Sequence, residues 1–148
     1  MARNKTIHIA ITIMAIVLVA SLSSCTTKAQ KELDTLIEYS NQQMPMVIDE
    51  YTVCTALVQE SDYVVYDYQI EGGNDMMESI SSTEAQRKNL VLEQLANSDF
   101  RDFVQTVTAT GRGIGYRYHD AHSSRVVEIM VPCAQLDKAL EESRKLHP

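Results

Sequence analysis

The clearest structural signal in this chain is the stretch YVVYDYQI at residues 63–70. Side chains alternate between the two faces of a β-strand, so one face of this segment is expected to be apolar and the other more polar. The residues of the apolar face are Val64, Tyr66, Tyr68 and Ile70. A preceding segment at 51–60 is rich in Thr and Val, and only Ser61-Asp62 separates the two segments. The sequence therefore predicts a β-hairpin, which the glycines at 72 and 73 end.

A second hairpin is predicted near the C-terminus, with strands at 112–119 and 125–131. Its inner residues are Ile114, Tyr116, Tyr118, Val127, Ile129 and Val131. Apolar residues at helical spacing predict helices at 31–43, 82–97 and 134–145. Ser81 and Glu84 would form a capping box that opens the middle helix, and Asn97-Ser98 would close it.

The segment after this middle helix is predicted as a helical turn at 99–106 that leads into a strand, because 106–110 is rich in Thr. The element order is then α-β-β-α-β-β-α. Consecutive hairpins favour an antiparallel sheet, and apolar helices pack on one of its sides. We therefore expect an α+β domain with a four-stranded antiparallel sheet and helices on one face.

The N-terminus has the parts of a secretory signal. Arg3 and Lys5 precede an apolar run at 7–20, which is followed by Leu22-Ser23-Ser24-Cys25. The apolar run is shorter than the roughly 20 residues that a membrane-spanning helix needs. Small residues before a cysteine in this order resemble the lipobox of bacterial lipoprotein signal peptides. An uncleaved signal anchor and an ordinary secreted protein are the alternatives.

The lipoprotein resemblance implies that residues 1–24 are removed and that the Cys25 thiol carries a diacylglyceryl group. Residues 25–30 would then be a lipidated tether and residues 31–148 a single domain. Each buried methylene contributes about 0.8 kcal/mol, so two or three acyl chains give durable attachment. Thr26 follows the cysteine, and by resemblance to enterobacterial lipoproteins this implies the outer membrane, facing the periplasm.

A weaker resemblance concerns the folded part. The segment NQQMPMVID at 41–49 lies between a helix and a hairpin, and a strand with Tyr116 and Tyr118 follows later. In this order the elements resemble small exported bacterial proteins of uncharacterised function. The resemblance spans most of the mature chain and supplies no catalytic residues.

The charge of the mature chain excludes one class of partner. Without residues 1–24 the chain has 11 basic and 20 acidic residues, a formal charge of −9. An acidic surface repels phosphate groups, so we expect no nucleic-acid partner and no polybasic membrane contact. The lipid would attach the protein to the membrane by itself.

The residues that could carry chemistry form no defined motif. His119-Asp120-x-His122 offers metal ligands, but polar residues are also ordinary at a hairpin tip. The glycine-rich segment 110–115 leads into a strand, unlike a phosphate loop, which leads into a helix. No serine or cysteine lies in a nucleophile motif. We expect no catalytic residues, no cofactor and no metal.

Two cysteines, Cys54 and Cys133, remain once Cys25 is lipidated. In an exported chain an even number permits one disulfide. Two buried free thiols that behave as small apolar side chains are equally compatible with the sequence.

The polar face of the predicted sheet is the candidate interaction surface. Its residues are Asp67, Gln69, Arg117, His119, Glu128 and Met130. Gly113 and Gly115 would leave a shallow trough beside Arg117, and arginine is enriched where proteins meet. A solvated face with weak ion pairs is the alternative. On the opposite face, the tyrosines either pack under the helices or form a platform for a carbohydrate or peptide.

These features favour a non-catalytic interaction or accessory module that is anchored in the envelope and binds an envelope protein. A small-ligand or metal-binding domain is the alternative, and a hydrolase or redox enzyme is the weakest of the three.

Overall fold

The computed structural model describes residues 28–82, 89 and 92–146. The predicted signal peptide, Cys25 and the capping-box residue Glu84 lie outside these residues. In the part that is described, no helix combines the length and the apolar character of a membrane span.

One five-stranded sheet organises the domain, and its strands lie side by side in chain order. They are β1 (Met46–Val47), β2 (Thr52–Gln59), β3 (Tyr63–Ile70), β4 (Gly113–Asp120) and β5 (Val126–Val131). The two predicted hairpins, β2–β3 and β4–β5, are present and antiparallel, and β1 adds to β2 in the same manner. The two hairpins join through β3 and β4, which run parallel.

The prediction of a four-stranded, purely antiparallel sheet is therefore wrong in two respects. The connection between β3 and β4 carries helices across one face of the sheet, and such a crossover returns the chain in its original direction. The additional strand β1 has only two residues, too few for alternation to reveal it. It follows a cis peptide bond between Met44 and Pro45.

The described residues include parts of five helices, which accompany the sheet. They are α1 (28–41), α2 (Gly73–Ser82), α3 (described at 89 and 92–94), α4 (Ser98–Ala109) and α5 (Cys133–Leu146). The sequence missed α2, in which Met77 and Ile80 are buried one turn apart. Ser81 lies inside α2 and not before a helix, so the predicted start at residue 82 is wrong.

Asn97 begins a helix instead of closing one. Its side-chain oxygen accepts the backbone N–H groups of Asp99 and Phe100 at 2.9 and 3.2 Å, which caps the start of α4. The strand expected at 106–110 is also wrong, because Val104 and Val107 are fully buried on one stripe of α4. Their burial outweighs the weak preference of threonine and valine for strands.

The helices cover one face of the sheet, as predicted, and form two apolar clusters with it. The first consists of Leu33, Leu57, Val64, Leu95, Val104, Val107, Ile114, Val131, Leu136 and Leu140. The second consists of Ile70, Met77, Ile80, Tyr118 and Ile129. The inner residues expected in β3, β4 and β5 thus pack against these clusters. Of the stripe expected on the middle helix, Leu95 is buried, whereas Lys88 and Val91 lie outside the described residues.

Helix α1 is tied to the sheet at both ends. Near its start, the Gln30 side-chain oxygen accepts a hydrogen bond from Arg112 at 2.8 Å. At its end, the Asn41 amide makes two 2.8 Å hydrogen bonds with the backbone of Leu57, one as donor and one as acceptor. Residues 28–30 were predicted to belong to a tether, but they are part of this docked helix.

Candidate interaction surfaces

Arg117 lies in the middle of the outer face, which is the face away from the helices. Its guanidinium donates hydrogen bonds to Glu128 at 2.6 Å, Glu60 at 2.7 Å and Asp67 at 3.5 Å. The hydrogen bond with Glu60, followed by that with Glu128, raises the pKa of Arg117 above its ordinary value. The donors of this arginine are therefore committed to carboxylates of the same chain.

The trough expected beside Arg117 is filled. A Cβ atom at Gly115 would lie 2.5 Å from the Met130 sulfur and 3.1 Å from a methyl carbon of Val65. A Cβ atom at Gly113 would overlap the Tyr63 ring and the backbone of β5. Glycine at these positions admits neighbouring side chains and leaves no groove between them.

The exposed part of the outer face is a row that crosses all five strands. Strand register places these residues side by side: Val47, Val53, Gln69, His119 and Val126. The valines at the two ends expose 73% and 46% of their surface. This row, near the start of β2 and the end of β3, is therefore open to another molecule, as is Glu128 beside Arg117, whose side chain is 45% exposed.

The groups that could have formed a metal site have separate partners. His119 Nε2 lies 3.4 Å from Asp67, and His122 Nε2 lies 3.4 Å from Glu71. The Asp120 carboxylate accepts the Ser123 hydroxyl at 2.5 Å and the His122 N–H at 3.1 Å. These hydrogen bonds, that of Ser123 first, lower the pKa of Asp120. Among the described residues no three His, Cys, Asp or Glu side chains are arranged to hold a metal ion.

Cys54 and Cys133 are both free thiols, which is the arrangement without a disulfide of the two that the sequence left open. Cys54 lies in β2 and Cys133 begins α5 directly after β5. Three strand spacings of about 4.8 Å separate β2 from β5, which exceeds the roughly 7 Å between bridged Cα atoms. Burial is the main cause that raises the pKa of both thiols, and this makes each a weak nucleophile.

The inner tyrosines pack beneath the helices, the first of the two arrangements that the sequence allowed. Tyr66 and Tyr116 stack with their ring centroids 5.6 Å apart, and Tyr68 and Tyr118 stack at 5.1 Å. Phe103 of α4 meets Tyr66 edge-on at 6.0 Å. Burial raises the pKa of the Tyr66, Tyr68 and Tyr116 phenols well above the ordinary range. The Tyr116 hydroxyl is buried, and no described residue forms a hydrogen bond with it.

Known proteins share this fold at low sequence identity. A candidate secreted protein of Pseudomonas aeruginosa is 11% identical, with a TM-score of 0.59, and the match covers 76% of this chain and 96% of that one. The pilotin EpsS of the Vibrio vulnificus type 2 secretion system is 9% identical, with a TM-score of 0.54, over 77% and 96% of the two chains. No family model and no curated protein matches the sequence. These likenesses show the fold, and they agree with the expected resemblance to exported bacterial proteins.

Proposed function

We propose that this protein is a lipid-anchored, non-catalytic accessory protein that binds a protein component of an envelope assembly. The observation that carries the proposal is the fold shared with a pilotin over 96% of that protein's length. The sequence Leu22-Ser23-Ser24-Cys25 supports the lipid anchor. Lipidation at Cys25 and attachment to the outer membrane, facing the periplasm, belong to this proposal.

The chemistry of the described residues also favours binding over catalysis. The thiols have raised pKa values, the histidines face separate carboxylates, and Arg117 is saturated by acidic side chains. Where a carboxylate meets one of these thiols, at Asp137 beside Cys133, it raises the pKa of the thiol and so disfavours the thiolate that a nucleophile needs. We further propose that the β1 to β3 end of the exposed row, where Val47, Val53 and Gln69 lie side by side, contributes to the contact with the partner.

The proposal is tested on the full chain in its native envelope. Protein carrying a C-terminal affinity tag is extracted in mild detergent, and its complexes are weighed by native mass spectrometry. We expect a lipidated chain that begins at Cys25 and is bound to one envelope protein at fixed stoichiometry. Recovery of the lipidated chain only as a monomer would contradict the proposal.

The anchor is tested by a pair of matched cysteine variants. Cys25→Ala should abolish fatty-acid labelling and leave an uncleaved precursor, because it removes the thiol to be acylated. Cys133→Ala removes a thiol in the folded domain and should leave labelling, cleavage and outer-membrane fractionation unchanged. Labelling that survives Cys25→Ala would show that lipid is attached elsewhere.

A further inference from the structure

Exposed large apolar side chains concentrate in one short stretch. Met46, Val47, Ile48 and Tyr51 expose 43%, 73%, 51% and 43% of their surface, and we name these four residues the β1 corner. Single exposed apolar side chains are ordinary, but a contiguous group marks a place where a protein binds something. None of these four residues belongs to either core cluster of the described chain, so the two clusters do not account for their apolar character.

The β1 corner is held in one conformation by hydrogen bonds. The Ile48 N–H donates to the Thr52 carbonyl at 2.9 Å, and the Tyr51 N–H donates to the Asp49 carboxylate at 2.9 Å. The Tyr51 carbonyl in turn accepts the Glu71 N–H at 2.9 Å. A surface that is already ordered loses less conformational entropy when it binds.

The corner lies at the end of the domain away from the chain's N-terminal segment. The start of α1 is next to the β2–β3 turn, because Arg112 joins Gln30 to the Glu60 carbonyl. The 14 residues of α1 span about 20 Å and end beside Leu57. Strand β1 pairs with β2 still farther from that turn, at Val53 and Cys54.

This position argues against the membrane as the occupant of the corner. Residue 28 belongs to α1 and follows Cys25 by three positions, a separation that can span at most about 10 Å between the two Cα atoms. With Cys25 lipidated, the start of α1 stays near the bilayer, whereas the corner lies at the opposite end of the domain. This separation favours a protein over the membrane as the occupant.

Charge identifies the kind of protein segment that fits. Residues 32–86 contain twelve Asp and Glu and no Lys or Arg. Asp49 and Glu50 lie within the corner's own turn, and Glu71 is hydrogen-bonded to it. A second copy of this surface would place acidic groups against acidic groups, which opposes self-association. A segment that carries Lys or Arg beside apolar side chains complements both the apolar side chains of the corner and the acidic groups around it.

We propose that the β1 corner docks an apolar segment flanked by lysine or arginine side chains, contributed by the partner protein. This inference rests on the proposed function and adds the place and the chemistry of the contact. The apolar side chains supply the buried centre of the interface, and the acidic rim orients the incoming segment.

A single-tryptophan reporter tests the inference, because the chain contains no Trp. The lipidated full chain with Val47→Trp is placed in phosphatidylcholine vesicles with brominated acyl chains. The probe is a synthetic peptide of alternating valine and lysine, and its control has glutamate in place of lysine. Val126→Trp is the matched variant, since Val126 is an exposed valine at the other end of the same row.

We expect the lysine peptide to shift the emission of the Val47→Trp variant to shorter wavelength and to leave the Val126→Trp variant unchanged. The lysine peptide should bind about tenfold more tightly than the glutamate peptide, an electrostatic preference that salt weakens. Equal binding of the two peptides would overturn the inference. Quenching of the Val47→Trp variant by bromine would assign the corner to the membrane, and a shift that depends on protein concentration would assign it to a second copy.

The native complex separates this inference from the proposed function. Val47→Glu should abolish the complex isolated from the envelope, whereas Val126→Glu should leave it intact. A complex that survives Val47→Glu would overturn the inference and leave the proposed function standing. If the unmodified chain forms no complex, the proposed function itself fails.

Discussion

The two faces of β4 are closed in different ways. On the inner face, Ile114 is fully buried and Tyr116 stacks against tyrosines of β3 beneath the helices. On the outer face, Gly113 and Gly115 admit side chains from neighbouring strands, and Arg117 draws three carboxylates together. Apolar burial thus stabilises the inner face. Side chains packed against the two glycines and the ion pairs of Arg117 stabilise the outer face. Both faces of β4 thus make their contacts within the chain. The β1 corner differs, because its apolar side chains are exposed.

The largest predicted difference between the faces appears at alkaline pH. Burial raises the pKa of Tyr66, Tyr68 and Tyr116 above the ordinary value of 10. The folded chain therefore keeps protons that the unfolded chain loses above pH 10, so stability falls as pH rises. At pH 11 the three phenols together would lower the free energy of unfolding by about 4 kcal/mol relative to pH 9. Urea unfolding at the two pH values measures this loss.

Tyr116→Phe is the control for the alkaline effect. It should reduce the loss by about one third, since one of three phenols is removed. At pH 7 it should be neutral or stabilise the fold by about 1 kcal/mol, because the Tyr116 hydroxyl is buried and no described residue forms a hydrogen bond with it. An unchanged alkaline slope in this variant would show that other groups cause the loss.

On the outer face, the two glycines should differ in their tolerance of a methyl group. Gly113→Ala should lower the free energy of unfolding by about 3 kcal/mol, because the new Cβ meets the backbone of β5 as well as a ring. Gly115→Ala should cost about 1 kcal/mol, because the flexible Met130 side chain can move away. Equal losses would mean that the β5 backbone beside Gly113 moves as easily as the Met130 side chain beside Gly115.

Arg117→Met should cost less than Gly113→Ala, about 1–2 kcal/mol, because the three carboxylates it leaves behind are partly solvated. The matched control is Lys145→Met, which removes an exposed ion pair with Glu141 and should change stability by less than about 0.5 kcal/mol. Molar salt should reduce the effect at Arg117 by screening the carboxylates. If Arg117→Met is as silent as the control, the outer face is held by apolar packing alone.

The sequence predicted those features of the fold that depend on short-range periodicity. Alternation at 63–70 placed the strand, its inner face and the inner tyrosines correctly. The parallel pairing of β3 and β4 could not be predicted, because it depends on how α2 to α4 cross the sheet. Asn97 is compatible with either end of a helix, and only the position of the donors that it caps distinguishes the two.

The candidate surface was predicted in part. Period-two alternation grouped Asp67, Arg117 and Glu128 on one face, and they do meet there. The filled space above the glycines depends on how neighbouring side chains bend, which alternation does not specify. The β1 corner was missed because the apolar run at 46–48 resembles the start of a buried strand. The acidic residues Asp49 and Glu50, which follow this run, were the sequence signal that indicated its exposure.

The most direct test of the account is photo-crosslinking in living cells. A photoreactive amino acid replaces Val47, Val126 or the exposed Lys138 of α5 in the full-length chain. We expect an adduct with one envelope protein from position 47, at a partner segment that contains apolar residues next to Lys or Arg, and no such adduct from position 138. Adducts from position 126 or 138 without one from position 47 would contradict it.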